Sequence, residues 1–197
     1  MYTVLERVEA QITKDRSIFI AILFHVTSTE NVKQYLEAAR EDFPKAKHYC
    51  YAYVIDDKEK CSDDGEPSKT AGRPLLELLK KKNLNETLIV VVRYFGGVLL
   101  GASRLMSTYI EAGVNVIDHA DIVEIAERYI YHASLTYSEF DTLKRLIKRE
   151  DFGLENLIYG DKIDVDILCS EDDASKLTQW FPNCPIEVIG KKRTYRR

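Results

Sequence analysis

Seven consecutive residues, Ser62-Asp63-Asp64-Gly65-Glu66-Pro67-Ser68, put three carboxylates on one glycine- and proline-bearing stretch. Carboxylate oxygens are hard ligands, so Asp63, Asp64 and Glu66 could hold magnesium or calcium, although their spacing is not that of a calcium loop. Two carboxylates held close could instead divide the roles of acid and base, with His48 as proton carrier. The plainer alternative is a turn in which Ser62 and Asp63 accept backbone N–H groups and Glu66 pairs a neighbouring cation. No nucleophile is fixed beside the carboxylates, so turn architecture is favoured over a metal or acid/base site.

A second stretch runs Arg93-Tyr94-Phe95-Gly96-Gly97 and on to Gly101-Ala102-Ser103-Arg104. Its glycines permit positive φ or close backbone approach, as a tight strand-to-helix corner requires, and such a corner also leaves amides where an anion can sit, with Arg93 and Arg104 nearby; from these residues alone a purely structural corner is favoured over an anion site. It is neither GxGxxG nor a P-loop, which would follow Gly101 with Lys and then Ser or Thr. Ser103 lacks the GxSxG setting of a serine nucleophile. His48 and Cys50 share one side of a strand, but Cys61 comes eleven residues later and no fourth zinc ligand follows. Tyr49, Tyr51 and Tyr53 alternate onto one face and, with Tyr94 and Phe95, either stack on bases or serve as core.

The elements around these residues read as follows. Strands are expected over 4–12 and 18–26, the second apolar on both sides and so central. Thr27, Ser28 or Thr29 caps a helix with the stripe Val32, Tyr35/Leu36, Ala39, Phe43, ending near Pro44. His48–Ile55 is a strand, 56–70 a long polar loop, and 71–82 a helix with Thr70 or a neighbour as cap. A buried strand over 87–92 feeds the glycine corner and a helix with Leu105, Tyr109, Ala112 or Gly113, and Val116 on one stripe. Residues 122–126 close the layer. Beyond them come strand 130–137, helix 138–150, strands 154–159 and Ile163–Cys169, a helix through Leu177 and Trp180, and a strand over 186–189. That β-α-β-β-α-β order is the pattern of a ferredoxin-like sandwich. The fold class is therefore α+β: an N-terminal α/β domain over 1–127 and a ferredoxin-like domain over 128–197.

A chain of 197 residues suits one sizeable core or two small ones. With 45% hydrophobic and 30% charged residues it is expected to fold rather than stay disordered. The formal charge of −4 advertises no polyanion partner, and DNA is not expected. Five of the last seven residues are basic, however, and this tail either touches phosphate or is a solvated end. The four cysteines form no CxxC pair, and no apolar run reaches membrane-spanning length, so a cytoplasmic setting without a membrane partner is expected.

The ordered motifs His48-Tyr49-Cys50-Tyr51-Ala52-Tyr53, Ser62 through Gly72, and Val92-Arg93-Tyr94-Phe95-Gly96-Gly97-Val98-Leu99-Leu100-Gly101 resemble the family of bacterial YigZ-like and eukaryotic Impact proteins. The resemblance implies two domains. The first would be similar to the second domain of a small-subunit ribosomal protein, the second to a ferredoxin-like domain of the translocation elongation factor. Eukaryotic relatives regulate translation by countering activation of an amino-acid-starvation kinase. Nucleic-acid or ribosome association is proposed for bacterial ones. Carried over by position, the family-like patch is His48, Asp63, Asp64, Gly65, Glu66, Pro67, Thr70, Gly72, Arg93, Tyr94, Phe95, Gly96, Gly97 and Gly101. The chain departs from the usual pattern at Leu99, where many relatives have lysine, at Ala102-Ser103-Arg104, where they have threonine-glycine-glycine, and at Ser107, usually arginine. Tyr49 stands where asparagine is common, and Lys69 where a small residue is.

The expectation is a noncatalytic, translation-associated protein binding RNA, the ribosome or a translation-related protein, with no cofactor. Its site would comprise His48, Lys69, Thr70, Arg93, Tyr94, Phe95, Gly96, Gly97, Gly101, Ser103 and Arg104, with Arg93 and Arg104 pairing phosphate or carboxylate. The alternatives are a metal-assisted hydrolase using Asp63, Asp64, Glu66 and His48, and a protein-binding regulatory module without nucleic acid. All require the carboxylate loop and the cationic corner to meet at an accessible groove.

Overall fold

The computed structural model describes residues 1–196, Arg149 by its backbone alone. The fold is α+β and divides into two compact units, Met1–Glu124 and Ile125–Arg196. The first holds β1 (Tyr2–Val4), β2 (Val8–Lys14), β3 (Ser17–His25), α1 (Thr29–Asp42), β4 (His48–Ile55), β5 (Lys58–Ser62), α2 (Gly72–Lys81), β6 (Thr87–Tyr94) and α3 (Ala102–Asp118). The start of β7 (Ile122–Leu135) pairs with β1.

The main sheet runs β2-β3-β6-β4-β5, each pair antiparallel. Its central strands β3, β6 and β4 are apolar on both faces because helices cover both. On one face Phe19, Ala21, Leu23, Cys50, Ala52, Ile89 and Val91 pack against α2 and α3. On the other, Ile22, Phe24, Leu88, Val90 and Val92 meet α1 through Val32 and Ala39. Tyr49 and Tyr53 are buried in this second core with Tyr51 packed on it, so the alternating tyrosines are structural rather than a stacking platform.

Local chemistry sets most boundaries. Asp15 and Arg16, both at positive φ, turn β2 into β3. The Ser28 hydroxyl accepts from the Asn31 amide and starts α1. The 56–70 segment, expected as a loop, holds the edge strand β5, hydrogen-bonded along β4 from Ile55↔Lys58 to Tyr51↔Ser62. Its Lys58-Glu59-Lys60 start has no apolar alternation to reveal a strand, as suits a sheet edge in water.

The second unit contains the rest of β7, α4 (Tyr137–Leu146), a 3-10 turn (Ile147–Arg149), β8 (Gly153–Tyr159), β9 (Ile163–Cys169), α5 (Glu171–Trp180) and β10 (Ile186–Arg196). Its strands lie in the order β10-β7-β9-β8. Thr136 and Glu139 form a capping box on α4. The core gathers Tyr131, Leu135, Phe140, Leu143, Val165, Ile167, Leu177 and Phe181.

Two expectations change in this unit. The stretches expected as separate strands over 122–126 and 130–137 form one strand, Ile122–Leu135, because Arg128 is buried and ion-paired to Asp151 instead of interrupting the ladder; Thr136 and Tyr137 belong to the start of α4. The basic tail is a strand rather than a loose end. Within β10, Lys192 pairs with Glu155, Arg196 with Asp151, and Lys191 lies over the Tyr129 ring. These cations are thus spent within the fold and supply little free charge for a phosphate. Arg197 lies outside the described residues.

Candidate functional site

Register brings the two chemical stretches together. β4 begins with His48 directly opposite Arg93 near the end of β6, and Arg93 also faces Phe19 on β3. Alternation then points His48, Cys50 and Arg93 to the α3 face, where Tyr109 arrives from the helix. The 63–71 loop after β5 carries Glu66 to the same place. There Glu66 Oε1 accepts from Arg93 Nη1 at 2.6 Å and from the Tyr109 hydroxyl at 2.8 Å. His48 Nε2 stands 3.8 Å from Glu66 Oε2, while its Nδ1 lies 2.8 Å from the Asp64 carbonyl. A carbonyl can only accept, so Nδ1 carries the proton. Cys50 Sγ is 3.0 Å from the Asp63 carbonyl and 3.3 Å from the Tyr109 oxygen.

Such a buried network is coherent because the guanidinium and the carboxylate arrive together. Arg93 Nη2 also reaches Ser17 Oγ at 3.4 Å, and Ser17 Oγ accepts from the Gly96 amide at 3.1 Å. Arg93 Nε is the buried side-chain polar atom left without a partner among the described residues. Burial drives the Cys50 thiol upward, with the Glu66, Asp64 and Asp63 charges adding to it against the Tyr109 hydrogen bond. Cys50 is consequently held as a protonated donor, the opposite of a poised nucleophile.

The remaining two carboxylates are taken by backbone amides. Asp63 Oδ1 accepts from Ala71 at 3.0 Å and Gly72 at 2.8 Å, and Oδ2 from Lys69 at 2.8 Å. Asp63 is therefore the distant cap of α2, whose own N-cap residue, Ala71, has no side-chain acceptor. The expected cap, Thr70, is buried and donates to the Pro67 carbonyl at 2.6 Å. Asp64 Oδ2 accepts from the Tyr49 amide at 2.7 Å, and Oδ1 meets Arg40 at 3.3 Å. Asp63, Asp64 and Glu66 thus face three different partners, and no group of three or more His, Cys, Asp or Glu among the described residues is arranged to hold a metal.

Beside this network opens a cavity of about 330 Å³. Its lining includes Lys47, His48, Glu66 and Arg93 with Phe95, Leu99, Gly101, Ala102 and Leu105 at the corner, while Ser103 and Arg104 lie outside it. The carboxylate loop and the glycine corner therefore do share an accessible groove. Within it, roles differ from those expected. Arg93 is 5% exposed and committed to Glu66, so it holds the corner rather than meeting phosphate. Arg104 is exposed but pairs with Asp15 at 3.0 Å. The Tyr94 hydroxyl donates to the Pro44 carbonyl at 3.1 Å. Lys69 and Thr70 do not line the groove.

What the groove presents outward is Phe95, 40% exposed, with Lys47 Nζ 5.2 Å from its centroid. Leu99, where the usual pattern has lysine, is 87% exposed at the rim. Gly96 fits because a Cβ there would stand 2.1 Å from the Arg16 carbonyl carbon, pressed against the β2–β3 turn. Gly101, at φ 77°, begins α3 with no side-chain cap and no carboxylate in the first turn, and Ala102, Ser103 and Arg104 are exposed there. Sequence reasoning missed Lys47, Ser17 and the Tyr109 hydroxyl. Only the last left a trace: a phenol in the middle of an otherwise apolar stripe.

A family model described as the Impact N-terminal domain matches residues 15–117, the segment from the β2–β3 turn to the last turn of α3. YvyE of Bacillus subtilis (strain 168) is 33% identical over 183 residues, covering 91% of this chain and 84% of that protein. YigZ of Escherichia coli (strain K12) is 43% identical over 105 residues, 51% of each. A crystal structure described as that of an hypothetical protein superposes with a TM-score of 0.63 at 26% identity, covering 96% of this chain and 97% of that one.

Proposed function

The chain belongs to the Impact family, and from that premise we propose that it is a noncatalytic, translation-associated binding protein that engages RNA through the groove beside α3. The observation that carries this is the pairing of an exposed aromatic and cation, Phe95 and Lys47, with the uncapped N-terminus of α3. A ring face takes an unstacked base, and helix amides free of competing carboxylate take a phosphate. The noncatalytic part is supported by the fate of Asp63, Asp64 and Glu66, each already accepting from the protein's own donors. The link to translation rests on the resemblance to the eukaryotic Impact proteins. No helix among the described residues is long and apolar enough to cross a membrane.

The finer domain assignments belong to the same proposal. In the second unit the β-α-β-β-α-β succession and the strand order β10-β7-β9-β8 support a ferredoxin-like domain. The first unit is assigned the ribosomal-protein-like fold that the family resemblance implies.

The test is recovery of partners from lysate with and without nuclease, comparing the native chain with Lys47→Glu and Phe95→Ala. Both side chains are exposed, so neither change removes core packing. RNA- or ribosome-dependent recovery that weakens with salt and drops in both variants is the expected result. Recovery that survives nuclease, or that ignores both substitutions, would overturn the RNA assignment.

A further inference from the structure

A second surface of the first unit has a different chemistry. Between α2 and α3 lies a groove of about 470 Å³, larger than the one at the glycine corner. Its floor is aliphatic: Pro74 and Leu78 from α2, and Met106, Ile110 and Val114 from α3. The α3 residues recur every fourth position, so they form a continuous ridge about 12 Å long at 1.5 Å per residue. Met106 and Ile110 are exposed although both stand on a helix whose other face is core. Nothing in the stripe that packs α3 onto the sheet requires them to be apolar.

The rim is cationic. Lys69, Arg73, Lys81 and Lys82 surround the floor, against Glu77 as the single carboxylate in the lining. Glu77 is paired with Arg73, and Lys82 stands 3.9 Å from Asp118, which leaves Lys69 and Lys81 with no ion pair among the described residues. This concentration occurs on a chain whose net charge is −4, so it is not the background of a basic protein. Lys69 stands on this rim at a positive-φ position, φ 64°, with its amide held by Asp63.

From the aliphatic ridge and its cationic border together, we infer that the α2–α3 groove docks an acidic amphipathic helix of a partner protein. Its apolar side chains would lie along Met106, Ile110 and Val114 with Asp or Glu flanking them. A groove between two helices with anchors at four-residue spacing receives a third helix, and methionine accommodates varied apolar anchors. Nucleic acid suits it poorly, because the floor has no aromatic ring to stack a base. The groove is separate from the Phe95 surface, so it stands or falls independently of the RNA assignment.

The probe is a displayed library of helical peptides of about 16 residues, about 24 Å long. Each carries leucine at i, i+4, i+7 and i+11, with the flanking positions drawn from Asp, Glu, Lys, Arg, Gln and Ala. Selection on the full chain is expected to enrich Asp and Glu at the flanks. The enriched peptides should lose roughly ten- to a hundredfold in affinity for Ile110→Glu, which places a carboxylate on the apolar ridge. They should weaken several-fold for Lys81→Ala, and weaken further as salt rises. No enrichment, enrichment of Lys and Arg, or equal binding to Ile110→Glu would overturn the inference. So would concentration-dependent self-association of the chain that Ile110→Glu abolishes, which would assign the groove to a second copy. Retention of RNA recovery by Ile110→Glu separates this outcome from failure of the Phe95 surface.

Discussion

Replacing Arg93 by methionine separates an arginine that binds ligand from one that holds the fold. The guanidinium is 5% exposed, bonded to Glu66 at 2.6 Å, and reaches Ser17 at 3.4 Å. Methionine fills much of the space but leaves the Glu66 carboxylate, its side chain 4% exposed, without a counter-charge. Removing one member of a buried pair costs about 3–5 kcal/mol, because the remaining charge keeps its desolvation penalty and loses its partner. Glu66→Gln retains an oxygen for the Tyr109 hydroxyl but leaves the guanidinium unneutralised, and is expected to cost about 2–4 kcal/mol. The double variant Arg93→Met/Glu66→Gln leaves no buried charge, so its cost should fall below the sum of the single costs by about 1–3 kcal/mol. The sole tryptophan, Trp180, lies in the second unit, so its fluorescence does not report this region directly. Amide exchange at Val91 and Cys50 under increasing urea does. A stability for Arg93→Met within about 1 kcal/mol of the native chain, or strictly additive costs, would refute the structural role and return Arg93 to the ligand surface.

Asp63→Ala should expose three backbone donors at the start of α2 and cost about 2–3 kcal/mol, whereas Asp63→Asn keeps one acceptor oxygen and should cost less; exchange of the Ala71 and Gly72 amides distinguishes them. Gly96→Ala forces a Cβ against the Arg16 backbone and should destabilise the β2–β3 turn by about 2 kcal/mol or more, read as accelerated exchange there, and an unperturbed turn would contradict that close packing. In the second unit, hydrogen bonds from Asn156 and then His132 hold the Asp166 carboxyl below its usual range, against the desolvation that raises it. A depressed folded-state value means stability that is present above the ordinary carboxylate range and is lost as pH falls through the lower folded value. Asp166→Asn should flatten that acid limb of the Trp180 unfolding signal, and an unchanged acid limb would remove Asp166 as its source.

Much of the architecture is legible from local pattern. β3 and β6 announce themselves by apolar residues on both sides, which is the mark of a strand covered by helices on each face. The α3 stripe of Leu105, Tyr109, Ala112 and Val116 is buried as its spacing requires. Polar β5 gives no such signal, because an edge strand is held by its neighbour's hydrogen bonds and not by its own side chains. The Glu127-Arg128 break and the basic tail mislead for a related reason. Charge reads as solvent exposure until a partner is in view, and Arg128, Lys192 and Arg196 all have theirs on distant elements.

The sequence by itself determined most of the elements and the family, since periodicity and ordered motifs are properties of neighbouring residues; that the carboxylate loop meets the glycine corner was a requirement of the functional readings, which strand register met. Only the tertiary structure decided which charges remain available. Glu66 and Arg93 are 27 residues apart in the chain, and Tyr109 lies a further 16 beyond Arg93, yet strand register and one helix face bring all three within hydrogen-bond distance. In a low-dielectric interior such groups satisfy one another before any ligand can, so the recognition surface proposed above rests on Lys47, Phe95 and the helix amides, whose exposure only the fold reveals.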